Sequence, residues 1–256
     1  MRLGIVVATL LVFVAGTAHA DDWIVRVGVR TRFKPSFEGS AHRVLDPLPL
    51  ISFRRADQPY RFTPPAVGAS FSLIDTRFLV MGPVLRFRSG REAGGKYAGL
   101  APISKALLPG AFLELWPKDW LRARIEARRS FNSDAGWSGD AGLDLIHTGM
   151  RWDASIGPRI GLGDGQYLQR YFGVTADEAA HGPLYRTPYA PGGGVRYTGV
   201  TAAAAYHWTR RWRTTLDVDY QRLAAKPMAS PIVRAVGSGD QVSLGLSVSY
   251  EFGKVR

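Results

Sequence analysis

An acyl-transfer or hydrolytic site needs a serine or a water activated by a histidine, with a third group orienting the imidazole. The chain has five histidines, His19, His42, His147, His181 and His207. His147 precedes Thr148 and His207 precedes Trp208, and neither has a serine at a neighbouring position of its own strand face. His42 and His181 fall in stretches bearing Gly and Pro and read as solvated loop residues. No His, Asp or Glu pair stands at ligand spacing, and Gly161-Leu162-Gly163-Asp164-Gly165 lacks the acidic repeats of a calcium loop. No helical pattern follows those glycines, so they read as a tight turn and not as a dinucleotide fingerprint. With no cysteine there is no thiolate metal site and no disulfide framework. The reading is a non-enzyme without catalytic, metal or cofactor residues.

The residue type that does recur at regular spacing is arginine. Arg26, Arg30, Arg86, Arg88, Arg122, Arg124, Arg128, Arg151, Arg159 and Arg213, with Arg32, fall on the polar side of alternating segments. Glu114, Glu126, Asp144, Asp153, Asp217, Asp219 and Glu251 share that side. Such a face can be an interior packed with paired charges. It can also be a basic passage for small anions, because the cations outnumber the carboxylates.

The elements that must position these side chains are β-strands. Val242, Leu244, Leu246, Val248, Tyr250 and Phe252 alternate with Ser243, Gly245, Ser247, Ser249 and Glu251. Trp212, Thr214, Leu216, Val218 and Tyr220 likewise oppose Arg213, Thr215, Asp217, Asp219 and Gln221. A period of two puts one set on each face of a strand. Segments of this kind recur near 22–33, 46–55, 60–74, 76–88, 106–116, 119–129, 139–148, 150–161, 165–174, 193–208, 211–223 and 240–252, about twelve within a range of ten to fourteen. No sustained helical stripe appears after residue 21. The segments reach the 9–11 residues that cross a bilayer at a tilt. Trp23, Trp116, Trp120, Trp152, Tyr206, Trp208, Trp212, Tyr250 and Phe252 stand near their ends, where a membrane interface would hold them. A soluble sandwich would alternate too, but its apolar face would be built of large core residues, whereas here that face is often slim. Only a closed barrel satisfies strand edges in lipid. The expected class is therefore all-β, a transmembrane antiparallel β-barrel.

Met1-Arg2, the apolar run Leu3–Val14 and Ala18-His19-Ala20 have the form of a secretory signal peptide. Residues 1–20 are expected to be removed after Ala20, leaving residues 21–256 as the barrel. Without Arg2 the chain holds 32 basic against 21 acidic residues. Export and the dispersal of the arginines argue against nucleic acid as a partner and leave outer-membrane lipid and lipopolysaccharide.

Several stretches carry a resemblance. Tyr171-Phe172-Gly173-Val174 with Glu178-Ala179, Tyr220-Gln221-Arg222-Leu223 with Ser230-Pro231-Ile232-Val233, and the closing Ser249-Tyr250-Glu251-Phe252 occur in order. Upstream stand Pro47-Leu48-Pro49-Leu50-Ile51 and Gly68. In this order and spacing the chain resembles the MipA/OmpV family of MltA-interacting outer-membrane proteins of Gram-negative bacteria. The tail Gly253–Arg256 departs from the terminal aromatic usual in such barrels. The resemblance implies location in the cell outer membrane. It also implies a structural or scaffolding role that brings a murein lytic transglycosylase together with a penicillin-binding protein. Porin-like members imply the alternative of a small-anion passage with a basic lumen, and an outer-membrane lipid-modifying enzyme stands further off.

Overall fold

The computed structural model describes residues 23–65, 68–130, 136–182 and 185–253. The expected leader with its cleavage at Ala20, and residues 254–256 of the tail, lie outside them. Twelve strands form one antiparallel sheet: β1 (Trp23–Pro35), β2 (Arg43–Arg55), β3 (Ala69–Ser70), β4 (Ile74–Asp75), β5 (Leu79–Arg88), β6 (Ala106–Lys118), β7 (Leu121–Arg129), β8 (Trp137–Thr148), β9 (Trp152–Gly163), β10 (Gly194–His207), β11 (Trp212–Leu223) and β12 (Asp240–Phe252). β5 to β12 pair in sequence order, and β1 closes on β12 from Val25↔Phe252 to Phe33↔Leu244. β2 pairs with β1, while β3 and β4 pair with β5. Among the described residues no ladder joins β2 to β3, and the other neighbouring long strands are paired around the barrel.

The faces are reversed relative to a soluble protein. Along β12, Gln241, Ser243, Ser247, Ser249 and Glu251 are buried, while Leu244, Leu246, Val248 and Phe252 are exposed. Leu216 on β11 is 54% exposed beside Asp217 at 2%. A solvent-facing stripe of leucine and valine around a charged interior is stable only when the outer solvent is hydrocarbon. Among the described residues no helix is long and apolar enough to cross a membrane.

The two rims differ. One carries the short connections 119–120, 149–151 and 208–211, together with Trp23 and Gly253. The other carries 36–42, 89–105, 164–193 and 224–239, with helices α1 (Gly165–Phe172), α2 (Ala176–His181), α3 (Ala225–Ala229) and α4 (Pro231–Val236). By the rule for bacterial barrels the short-turn rim faces the periplasm and the long-loop rim the outside. Trp152, Tyr206 and Trp208 form one aromatic cluster at the periplasmic rim, with ring centroids 4.6 and 4.7 Å apart, and Trp212, Tyr250 and Phe252 form another. Trp116 does not belong to this girdle: it points inward, is 2% exposed, and donates its indole N–H to Glu114.

Two expected strands are absent. Over 60–74 only the two-residue β3 and β4 form, because Pro59, Pro64 and Pro65 remove three ladder donors and the chain turns into the lumen. Over 165–174 the chain is helical: Asp164 accepts from the Tyr167 N–H as N-cap, and Tyr167, Leu168, Tyr171 and Phe172 form a buried stripe over two turns. A helix thus follows the Gly161–Gly165 run, contrary to the tight-turn reading. Each false strand flips the assigned side of every connection upstream of it. The stretch 89–105, which the alternation would have placed in the periplasm, belongs to the outer rim.

Candidate functional site: an arginine-lined lumen plugged at both ends

The lumen holds a central cavity of about 930 Å³, lined by thirteen arginines and seven carboxylates. Strand pairing explains how they converge, since cross-strand partners share a face. Arg30 stands opposite Ser247, and Ser247 opposite Thr215, so the inward rows of β1, β12 and β11 run side by side. Glycine makes room for them: a Cβ on Gly245 would come within 2.3 Å of the Asp217 carboxylate.

Most of the expected arginines are paired. Arg26 meets Glu251 at 2.6 Å, Arg30 meets Asp217 at 2.7 Å, and Arg86 grips Glu126 through Nε and Nη2 at 2.8 and 2.6 Å. Arg122 reaches Asp144 at 3.1 Å, and Arg159 bonds the same carboxylate from the other side. Arg124 bridges Glu114 and Glu126 and lies over the Phe112 ring, while Arg128 bridges Glu126 and Asp140. Arg213 donates to the Tyr60 hydroxyl at 2.7 Å. Arg32 stands 4.0 Å from Asp219. Arg88 has no carboxylate partner among the described residues, and its guanidinium lies over the Tyr171 ring, 5.3 Å from the centroid. Arg151 is a correction: it lies exposed in the turn before β9, one residue short of the strand, and does not face the lumen.

The inward orientation of Arg196 and the partner of His207 do not follow from alternation. Alternation puts Tyr197 inward and Arg196 outward, but a bulge between Val195 and Tyr197 turns Arg196 inward as well. Arg196 then pairs with Glu38 at 2.7 Å and Asp140 at 2.8 Å. His207 has a partner: its Nε2 lies 2.7 Å from Asp153, a carboxylate with no exposure. The Tyr60 hydroxyl donates to the same Asp153 at 2.5 Å. The third member of this set is therefore a phenol held by Arg213 and not a serine, and a non-local contact of this kind has no signal in sequence spacing. Among the described residues no cluster of His, Asp and Glu could hold a metal ion.

Both ends are stoppered. From the periplasmic side, residues 58–65 fold into the barrel, and Phe62 packs with Val80, Val84, Phe112, Trp116, Ile146, Ala203 and Ala205. Arg61 secures the entry by bonding Asp75 at 3.0 Å and the Thr76 carbonyl at 2.8 Å. At the outer end α1 and α4 lay Tyr167, Leu168, Tyr171, Phe172 and Val233 against Tyr197 and Leu223. The Ser230 hydroxyl, which caps α4, donates to the Phe172 carbonyl at 2.7 Å and ties the two helices together. Burial pushes the Tyr167 and Tyr171 phenols well above the usual range, so both stay neutral at any physiological pH; the Tyr167 hydroxyl donates to Glu38 at 2.7 Å, and the Tyr171 hydroxyl is buried without a hydrogen-bond partner among the described residues. α2 is set by a capping box in which Thr175 and Glu178 bond each other's backbone, a signature readable as Thr-x-x-Glu. Burial raises the Glu178 carboxyl, but the N–H groups of Ala101 and Thr175 outweigh it and hold the group below the ordinary carboxylate range.

The sequence profile of MltA-interacting protein MipA matches residues 27–252. The chain belongs to the MipA family. With an inside-out barrel this makes it an outer-membrane protein. A comparison with curated proteins finds no match. Among solved structures, the NanC porin is 10% identical over 89% of this chain and 98% of its own, with a TM-score of 0.42. The COG4313 outer membrane channel from Pseudomonas putida F1 is 11% identical over 92% and 97%, with a TM-score of 0.39. A Pseudomonas aeruginosa FadL homologue is 10% identical over 90% of each, with a TM-score of 0.34.

Proposed function

We propose that this MipA-family barrel is a non-catalytic scaffold that docks peptidoglycan-remodelling enzymes, a lytic transglycosylase and a penicillin-binding protein, on its periplasmic rim. The observation that supports this best is the double closure of the lumen. A barrel filled by Phe62 at one end and roofed by α1 and α4 at the other is suited to holding a shape and not to passing solute. The periplasmic rim offers a concavity of about 1130 Å³ whose lining includes Trp23, Trp120, Arg55, Arg77 and His147. Aromatic and arginine side chains of this kind are favoured at protein interfaces.

The excess of arginine over carboxylate around the central cavity favours a second reading, a small-anion passage that opens only when the plug moves. Capture of peptidoglycan enzymes by the detergent-solubilised protein, run beside conductance in planar bilayers, separates the two. The scaffold reading expects retention of a lytic transglycosylase and an electrically silent bilayer. Anion-selective conductance without retention overturns it.

A further inference from the structure

Under the outer cap lies a smaller pocket of about 250 Å³, walled by β1, β5 and the strands from β10 to β12, by α1 and by the 36–42 loop. Most of the charges in its walls are matched. Arg196 holds Glu38 and Asp140, Arg128 holds Asp140 and Glu126, and Lys34 holds Asp46 at 3.1 Å. Two arginines keep unused donors. Arg88 Nε and Nη1 are buried without a hydrogen-bond partner among the described residues, and so is Arg32 Nε. Asp219 stands 4.0 Å from Arg32 and accepts instead from the Thr201 hydroxyl at 3.1 Å and the Gln221 amide at 2.9 Å.

Tyr171 supplies a further donor. It is 2% exposed, its ring stacks on Tyr167 with centroids 4.7 Å apart, and its hydroxyl lacks a partner. Beside these donors stands one idle acceptor. Glu38 receives Arg196 and Tyr167 through Oε2, each at 2.7 Å, while its Oε1 is buried and unbonded. Buried polar groups are ordinarily satisfied, so unmet donors and an unmet acceptor around one pocket call for a guest that meets them together. Water can form such hydrogen bonds, but it leaves the charge of Arg88 uncompensated. The matching guest is an anion with several acceptor oxygens and one proton to donate. Carboxylates, sulfate and phosphodiesters have no such proton at neutral pH. Inorganic phosphate has one.

We propose that this pocket binds inorganic phosphate, with Arg88, Arg32 and the Tyr171 hydroxyl donating to its oxygens and Glu38 Oε1 accepting a hydrogen bond from its O–H. Arginine suits the role because its fork meets two phosphate oxygens at once. The pocket is smaller than drug-sized sites of about 300–1,000 Å³, which suits a small ion with a few waters. Its ligands come from the barrel wall, α1 and the 36–42 loop, so a bound phosphate fastens the outer cap to the strands. Binding of this kind is independent of whether the barrel docks partners or passes anions.

The test is equilibrium dialysis of radiolabelled phosphate against the full chain folded in neutral detergent, with sulfate and glycerol phosphate as competitors. It is run at about pH 8, where a phosphomonoester, with its second pKa of about 6, has lost its proton. The expected result is one phosphate bound per chain. Sulfate and glycerol phosphate should compete about a hundredfold less well, because each leaves the Glu38 oxygen unmet beside an anion. Arg88→Gln, which breaks no ion pair, should weaken binding about tenfold to a hundredfold, and Tyr171→Phe, which removes only a hydroxyl, about tenfold. Both variants should keep the heat-dependent gel shift of the parent, and Glu38→Gln should let sulfate compete with phosphate. Absence of binding, or binding unchanged in both Arg88→Gln and Tyr171→Phe, overturns the proposal. Sulfate competing as well as phosphate shows a site for any anion, glycerol phosphate doing so shows a headgroup site, and either result overturns it as well.

Discussion

Phe62→Ala tests whether the periplasmic plug is what seals the lumen. Phe62 is 2% exposed and belongs to a cluster of wall residues from β5, β6, β8 and β10. Truncating a buried phenylalanine costs about 3–5 kcal/mol in a dry core. Here the vacated volume borders a polar cavity that water can fill, so the lower limit applies, about 3 kcal/mol. Every 1.4 kcal/mol is a factor of ten, so local opening of the plug should become roughly a hundredfold more populated. The chain has no cysteine, which makes a single reporter thiol clean. Ala205→Cys places one in the same cluster at a position with no exposure. The assay is the rate of maleimide labelling of that thiol in detergent micelles, with and without Phe62→Ala, under conditions where closing outpaces labelling. Leu216→Ala, which shortens a lipid-facing side chain, is the control and should leave the rate unchanged. An unchanged rate in Phe62→Ala, or an equal rise in both variants, refutes the idea that residues 58–65 act as a stopper.

Other perturbations give separable outcomes. Asp144→Asn leaves Arg122 and Arg159 facing each other around a neutral amide, and removing one partner of a buried charged set costs about 3–5 kcal/mol; the folded band on an unheated gel should disappear at a lower temperature. Gly157→Ala should weaken β8–β9 pairing, because a Cβ there would overlap the Leu143 carbonyl backbone; slower barrel formation after dilution from urea, not seen with Gly165→Ala, whose Cβ would meet its nearest neighbour at an ordinary 3.6 Å, is the expected signature. Tyr60→Phe removes the proton donated to Asp153 and the acceptor used by Arg213, and should speed labelling at the Ala205→Cys position less than Phe62→Ala does. Glu178 has a folded-state pKa below its unfolded value of about 4.3, so its contribution is present above that value and fades as pH falls through the lower one. Protection of the Ala101 and Thr175 amides, measured against the intrinsic exchange rate at each pH, should therefore fall on acidification by more than elsewhere in the cap, and Glu178→Gln should remove the excess.

Much of the architecture is local and was legible without coordinates. A period of two is a property of neighbouring residues, so it marked the ten long strands, their inward and outward faces and most of the lumen arginines. The same locality explains the failures. Tyr167, Leu168, Tyr171 and Phe172 satisfy a helical stripe as well as a loose alternation, and the Asp164 cap and Thr175-x-x-Glu178 box were the signals that decide it. The prolines around Tyr60 were a comparable warning against a strand at 60–74.

The sequence by itself determined that the outer face is oily, the inner face charged, and the chain a barrel of the MipA type. Only the tertiary structure decided which charges meet, that His207 and Tyr60 share Asp153, that Arg196 turns inward at a bulge, and that Arg88 keeps spare donors. It alone decided that the lumen is stoppered at both ends. These are contacts between residues far apart in the chain, set by register, closure and loop packing, and neither periodicity nor composition encodes a distance across a lumen.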